Sequence, residues 1–459
     1  MNDTYYSDYS EITPALLKMA RQSEEVSHIP PELYIEKEVK RGLRDLDGKG
    51  VRAGLTDIST VNGKRPGPDG KDIPCDGELF YRGQNINALV QGFASEGRFG
   101  FEEIAYLLLM GTLPNRRQLK DFSDELHRCQ NQLPSNFVRD IIMNAPSQDM
   151  MNVLARSVLT LYSFDDQADD ISIPNVLRQC MQLISMLPLI SVYGYHIYQH
   201  YYNGKSLYIN KPDPELSFAE NILHVLRKNS HYTETEARLL DIALVLHMEH
   251  GGGNNSSFTT HVVSSSGTDT YSVFAASLGS LKGPRHGGAN IKVVKMMEEI
   301  KQNVKDWKDE NEVEAYLQKI LSKDAFDHSG LIYGMGHAVY SLSDPRAVLL
   351  KSFAKRLSEE KGLMDEYALY CLVEDLAPCI IGRNSHIYKG VSANVDFYSG
   401  YVYDILGLPK ELYTPLFAIA RSVGWSAHRI EELANRGKII RPAYVSISEN
   451  KKYIPIRER

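Results

Sequence analysis

Across residues 99–437 the apolar side chains keep the period of an α-helix almost without break, which leaves room for little but a helical fold. The stretch F-E-E-I-A-Y-L-L-L-M-G-T-L-P at 101–114 sets the pattern: apolar residues fall at i, i+3 and i+4 and stop at Gly111 and Pro114. The same period predicts helices over 118–132, 150–162, 175–201, 217–227, 235–249 and 270–280. It predicts more from about 291 through the 300s, near 312–322 and over 346–360, and a long last one from Thr414-Pro415 to Gly437. Thr233 and Glu236 form a capping box, and Asp344 with Pro345 reads as an N-cap followed by a first-turn proline. Leu239, Ala243, Leu246 and His250 fall on one helical stripe, which turns His250 inward. The class is all-α.

Two segments break the pattern. Residues 1–50 are charge-rich, with one helical stretch and an interruption at Pro30-Pro31; they read as an N-terminal arm. Residues 51–82 hold short β-prone runs around the Gly67-Pro68-Asp69-Gly70 turn, the signature of a small sheet or hairpin. A length of 459 residues exceeds what a single core usually supports, so two domains are expected. The net charge of −7 speaks against a nucleic-acid partner, and an acidic chain that takes anionic ligands must gather its arginines in the site. The five cysteines are scattered and odd in number, which suits a reducing compartment and gives no zinc knuckle. The start, M-N-D-T-Y-Y-S-D-Y-S, carries neither a secretory nor an import pattern, and the apolar runs are short for a membrane span. A soluble, cytoplasmic protein is expected.

Three clusters between 247 and 346 put histidines beside glycines: H-M-E-H-G-G-G-N at 247–254, G-P-R-H-G-G-A-N at 283–290 and G-M-G-H-A-V-Y-S-L-S-D-P-R at 334–346. Glycine lets the backbone approach a ligand closely, so the three read as one active site. His286 and His337 each sit on a loop that feeds a helix, and Arg346 lies in a first helical turn, where a guanidinium can clamp a carboxylate. In N-V-D-F-Y-S-G at 394–400, Asp396 is flanked by Val395 and Phe397, an apolar setting that raises a carboxyl toward use as a general base. Arg421 lies beside an apolar stripe of the last helix, and Arg441 follows that helix in I-I-R-P. Together these residues suit proton removal next to a carbonyl, with imidazoles polarising oxygens and arginines gripping a small polycarboxylate.

Blander readings exist for each. Asp396 fits a turn or N-cap aspartate, and Arg421 and Arg441 fit helix-end arginines. His247 reads as a core or C-cap histidine. H-M-E-H is one residue short of a zinc helix motif and shows no third ligand. His261, His328, His386 and His428 read as surface or core. Ser256, Ser257, His261 and Asp269 could be strung into a hydrolase triad, but no G-x-S-x-G elbow supports it.

In their order, these motifs and the paired C-terminal arginines resemble the citrate synthase family, and the likeness extends upstream through F-Y-R-G at 80–83 to cover about residues 50–445. The resemblance implies roles by position. His286 would stabilise the enol of acetyl-CoA, Asp396 would remove the methyl proton, and His337 would polarise the oxaloacetate ketone. His250, His337, Arg346 and Arg421 would bind oxaloacetate, with Arg441 reaching in from a second subunit of a homodimer. Lys282, Arg285, Leu331, Ile332, Gly334, Met335 and Gly336 would face CoA; Ser341 stands where many relatives carry a basic residue, so Lys282 and Arg285 would supply the charge. Citryl-CoA would then be hydrolysed without metal or redox cofactor. The implied domains are a large helical one, 51–287 with 395–459, and a small one, 288–394, that closes over the site. The same residues would serve a 2-methylcitrate synthase using propionyl-CoA. An ATP-using citrate-cleaving enzyme needs a longer chain, and an inactive all-α scaffold or sensor is the reading from another class.

Overall fold

Most helices described in this chain begin where a short polar side chain can accept otherwise unpaired backbone N–H groups. The computed structural model describes residues 10–45, 50–69, 71–385 and 390–459; the start at 1–9, Gly70 of the expected turn and His386 lie outside the described residues. Met1–Gly54 with Arg441–Arg459 makes one compact unit and Leu55–Ile440 another. The first unit contains α1 (Pro14–Ser27), capped by Thr13, and α2 (Pro31–Glu36), which starts at the second proline of the expected interruption. Ile29, Leu33 and Tyr34 line a cleft in this unit with Pro442, Tyr444 and Ile447 from the other end of the chain. Neither helix buries a residue.

The second unit opens with an antiparallel sheet: β1 (Ser59–Pro66), β2 (Asp72–Tyr81) and β3 (Gln84–Asn85), in the order β1-β2-β3. It is the small sheet the sequence predicts. There follow α3 (Ile86–Ser95), α4 (Phe101–Met110), α5 (Arg116–Gln130), α6 (Met150–Leu161), α7 (Ile173–Asn203), α8 (Phe218–Leu226) and α9 (Glu234–His247). After them come α10 (Asn255–Ser264), α11 (Thr270–Lys282), α12 (Ala289–Asn303), α13 (Glu310–Leu321), α14 (Pro345–Lys361), α15 (Met364–Ser385), α16 (Val395–Ile405) and α17 (Tyr413–Ala434). The fold is all-α. The capping box at Thr233 and Glu236 forms, and Asp344 caps α14 ahead of Pro345.

Three differences from the sequence reading bear on the site. Helix α9 ends at His247, so Glu249 and His250 lie on the turn beyond it rather than on its last stripe. Helix α10 (N-S-S-F-T-T-H-V-V-S) has no apolar stripe to announce it and is begun by its Asn254 cap. Helix α16 is buried on almost every side, which removes the one-faced contrast that marks a surface helix.

Helix α17 is the centre of the unit. Every residue from Tyr413 to Arg429 is buried, and the helix packs against α4, α6, α7, α9, α10 and α11. Helix α7 is long and apolar enough to cross a bilayer by length and composition, but 83% of that window is buried inside the protein, as befits a core helix. The last helix ends at Ala434, short of Gly437.

Candidate active site

Burying an arginine in the core of a helical protein is costly unless its donors find acceptors. Arg421, on α17, is fully buried. Its Nε donates to the His247 carbonyl oxygen at 2.8 Å, and it lies 4.8 Å over the Phe417 ring. Nη1 and Nη2 are buried with no hydrogen-bond partner. Burial pushes its pKa down to about 10, with Glu249 opposing that shift, so the guanidinium stays charged at neutral pH. Two parallel N–H donors without an acceptor fit one carboxylate.

Arg346, in the first turn of α14, is 2% exposed and already paired. Its Nε and Nη2 donate to the two oxygens of Asp344 at 3.0 and 2.7 Å, while the Arg346 backbone N–H is capped by the same carboxylate. Asp344 also accepts the Val395 N–H at the start of α16, 3.2 Å away. One buried carboxylate therefore joins the helix that carries Arg346 to the helix that carries Asp396. Asn394 is the cap of α16 and accepts the Asp396 N–H, so Asp396 is not the cap. Its Oδ1 is buried without a partner. Burial pushes its pKa up to about 6; Arg346 and Arg421 pull against this and Asp344 adds to it.

The loop carrying His337 is strapped to the same junction. Gly336 N–H donates to Ser392 O, Asn394 N–H to Gly334 O and Asn394 Nδ2 to Gly336 O, each at 2.8 Å. Gly334 has φ +80°, and a Cβ there would stand 2.8 Å from both Phe397 and Val293, so only glycine fits. His337 Nδ1 accepts the N–H groups of Val339 and Tyr340 at 3.0 and 3.1 Å, which puts the proton of the neutral ring on Nε2. The ring stacks on Tyr340 at 4.8 Å and meets His250 edge-on at 5.1 Å. His250 Nε2 lies 3.2 Å from the Tyr340 hydroxyl, and its pKa is held well below the ordinary value by burial and then by Arg346, His337 and Arg421.

His286 Nε2 lies 3.2 Å from Ser256 Oγ, which accepts the Trp425 indole N–H at 3.1 Å and lies 3.0 Å from Asn254 Oδ1. Ser256 has one proton for two acceptors. When that proton points to His286 Nε2, the ring carries its own on Nδ1. Burial and Arg421 bring the His286 pKa down to about 4, which keeps the ring neutral.

His250, His286, Arg346, Asp396 and Arg421 thus share one electrostatic neighbourhood, and His337 meets His250 and Tyr340 within it. His247 is a buried residue at the end of α9, packed 4.3 Å from the Phe417 ring, with both ring nitrogens unpartnered. Arg441 is exposed and belongs to the other unit. Lys282 pairs with Asp149 at 2.6 Å on the surface, and Arg285 is exposed. Leu331 is 55% exposed and Ile332 only 4%, so Ile332 gives its side chain to the core. Sequence reading took Asp344 only as a cap and passed over Tyr340 and Glu249. The spacing D-P-R, which puts acid and guanidinium in one helical turn, is the signal that could have paired Asp344 with Arg346.

A buried guanidinium with unpaired donors, neutral imidazoles and a carboxyl of raised pKa, all on a helical scaffold, define a site for an anionic substrate and proton transfer. The family described as citrate synthase, C-terminal domain, matches residues 44–443. A citrate synthase of Synechocystis sp. is 34% identical over 423 residues, covering 90% of this chain and 95% of its own. A 2-methylcitrate synthase of Corynebacterium glutamicum is 29% identical, covering 90% and 97%. Among solved structures, the citrate synthase of Thermoplasma acidophilum in ternary complex with carboxymethyl coenzyme A and oxaloacetate superposes with a TM-score of 0.73 at 27% identity, covering 91% and 99%. The chain belongs to the citrate synthase family.

Proposed function

We propose that this enzyme condenses acetyl-CoA with oxaloacetate and hydrolyses the resulting citryl-CoA to citrate and CoA. The observation that carries the reading is the buried Arg421 fork with both Nη groups unpartnered, beside the unpartnered Oδ1 of Asp396. Arg421 and Arg346, with His250, hold the oxaloacetate carboxylates. The proton on His337 Nε2 faces the ketone oxygen. Ionised Asp396 takes a methyl proton from acetyl-CoA, and His286, protonated on Nδ1, donates to the thioester oxygen as charge develops there. The new carbon–carbon bond forms as the methyl carbon attacks the ketone, whose oxygen takes the His337 proton. Water then cleaves the thioester. Neutral imidazoles suit this scheme because a further full positive charge beside Asp396, added to Arg346 and Arg421, would weaken it as a base.

The 288–394 segment acts in this scheme as a small domain that closes over the site, with the 331–336 loop, Lys282 and Arg285 toward CoA. Arg441 is contributed by a second copy of the chain. Support comes from the apolar side chains that the terminal unit leaves exposed, among them Ile12, Val26 and Tyr444. Mixing Arg441→Ala with Asp396→Ala chains is expected to restore activity through hybrid sites; no recovery after verified subunit exchange would rule out the shared site. The reading also places the enzyme in the cytoplasm, in keeping with five unpaired thiols.

A thiol-release assay with each thioester tests the function. Release should require oxaloacetate, and acetyl-CoA should exceed propionyl-CoA in kcat/KM by roughly 10–200-fold, the range one methylene allows. A preference for propionyl-CoA would make the enzyme a 2-methylcitrate synthase, and no oxaloacetate-dependent release with either thioester would leave an inactive scaffold. Only ionised Asp396 is a base, so kcat/KM should fall about tenfold per pH unit below a limb near the carboxyl's pKa of about 6.

A further inference from the structure

Next to Glu249, three side chains outside the reaction converge. His261 on α10 and His428 and Glu431 on α17 bring one ligand atom each within 4.8 Å of the others. His261 Nε2 and His428 Nδ1 face each other at 3.0 Å, and Glu431 Oε2 lies 3.8 Å from His428 Nδ1. The outer nitrogen of each ring is turned to a carboxylate: His261 Nδ1 to Glu432 Oε2 at 2.8 Å, His428 Nε2 to Glu249 Oε1 at 3.1 Å. The carboxylates favour a proton on each outer nitrogen, through a hydrogen bond at His261 and through charge alone at His428, whose Nε2 makes no aligned hydrogen bond. This turns the two inner nitrogens toward one another. Two nitrogens so close hold either a proton between them or a metal ion drawn in beside them. Glu431 supplies the third donor: its Oε1 accepts the Asp57 N–H at 2.9 Å, while its Oε2 is buried and without a hydrogen-bond partner. The site is sheltered, with His428 fully buried and the His261 side chain 13% exposed, and Gly252 leaves it open on one side.

We propose that His261, His428 and Glu431 form a binding site for a divalent transition metal of the zinc class. Two imidazoles and one carboxylate, each imidazole backed by a second carboxylate, are a borderline-soft donor set of the kind zinc takes, with a fourth position left for water. Metal–nitrogen bonds of about 2.0–2.1 Å require the two inner nitrogens to part by only a few tenths of an ångström. The site takes no part in proton transfer to substrate. It would staple α10 to α17 under the turn that carries Glu249 and His250. The rival occupant is a single proton shared by the two rings.

The test uses the full chain, stripped with chelator and titrated with Co²⁺, which reports its coordination by visible absorption. We expect one Co²⁺ per chain with the intense bands of a four-coordinate site, displaced by Zn²⁺. His261→Gln and Glu431→Gln should abolish the bands, and Glu432→Gln, which removes only an outer partner, should weaken Zn²⁺ binding by roughly 10–100-fold. Oxaloacetate-dependent thiol release should survive in His261→Gln. No bands in the wild-type chain, or bands unchanged in folded variants, would overturn the site in favour of the shared proton. Should the variants fail to fold, the anomalous signal from wild-type crystals soaked in Co²⁺ decides: a peak between His261 Nε2 and His428 Nδ1 supports the site, and its absence there refutes it.

Discussion

Replacing Asp396 with Asn should lower turnover of acetyl-CoA by roughly 10²–10⁴ while making the folded protein more stable at pH 7. Asparagine has nearly the same shape but no base, so the methyl proton has nowhere to go. The stability gain comes from burial. The folded carboxyl has its pKa pushed up to about 6 from 3.8, so the folded state binds the proton more tightly than the unfolded chain does. At pH 3 both states are protonated and Asp costs nothing relative to Asn. As pH rises from about 4 to 6 the unfolded chain ionises first, and stability is lost progressively. Above 6 the deficit is complete, on the order of 3 kcal/mol, and the Asn variant is free of it. Denaturant midpoints at pH 7 and pH 4 therefore separate this account from a merely structural role: an Asn variant that loses activity and also loses stability at pH 7 would mean Asp396 holds the fold together.

The second large effect falls on Arg421. Arg421→Met leaves Glu249 with His428 alone beside it and removes both unpartnered donors, so it should damage folding as well as substrate binding. Arg421→Lys separates the two. An ammonium keeps the charge beside Glu249 but cannot present two parallel N–H groups, so the fold should hold. Losing one charge-assisted hydrogen bond, worth about 1.5–3 kcal/mol, should raise KM for oxaloacetate roughly 10–100-fold, with a smaller change in KM for acetyl-CoA. A Lys variant that binds oxaloacetate as wild type does would show that the fork is not the carboxylate grip.

The class of fold was legible because amphipathic period and caps agree over most of the chain; Thr233 with Glu236, and Asp344 with Pro345, start helices as their spacing requires. Helices α10 and α16 were not, since one has no apolar face and the other is apolar nearly all round. The site residues stood out because glycines flank the histidines, and at Gly334 the reason is concrete: a Cβ would strike Phe397 and Val293. Partnerships between distant segments could not be read. Nothing local says that Asp344 reaches the start of α16, that Ser256 meets His286, or that Glu249 sits between Arg421 and His428. Such contacts depend on how helices cross, and the one-dimensional pattern fixes only which face turns inward. For the same reason His261 and His428 read as unrelated histidines.

The most direct measurement is a crystal structure with oxaloacetate bound. It should place one carboxylate within hydrogen-bond distance of both Nη atoms of Arg421 and the ketone oxygen on His337 Nε2, with Asp396 facing the carbon to be attacked. Oxaloacetate bound elsewhere, or an Arg421 whose Nη groups have turned to protein carbonyls in its presence, would contradict the account.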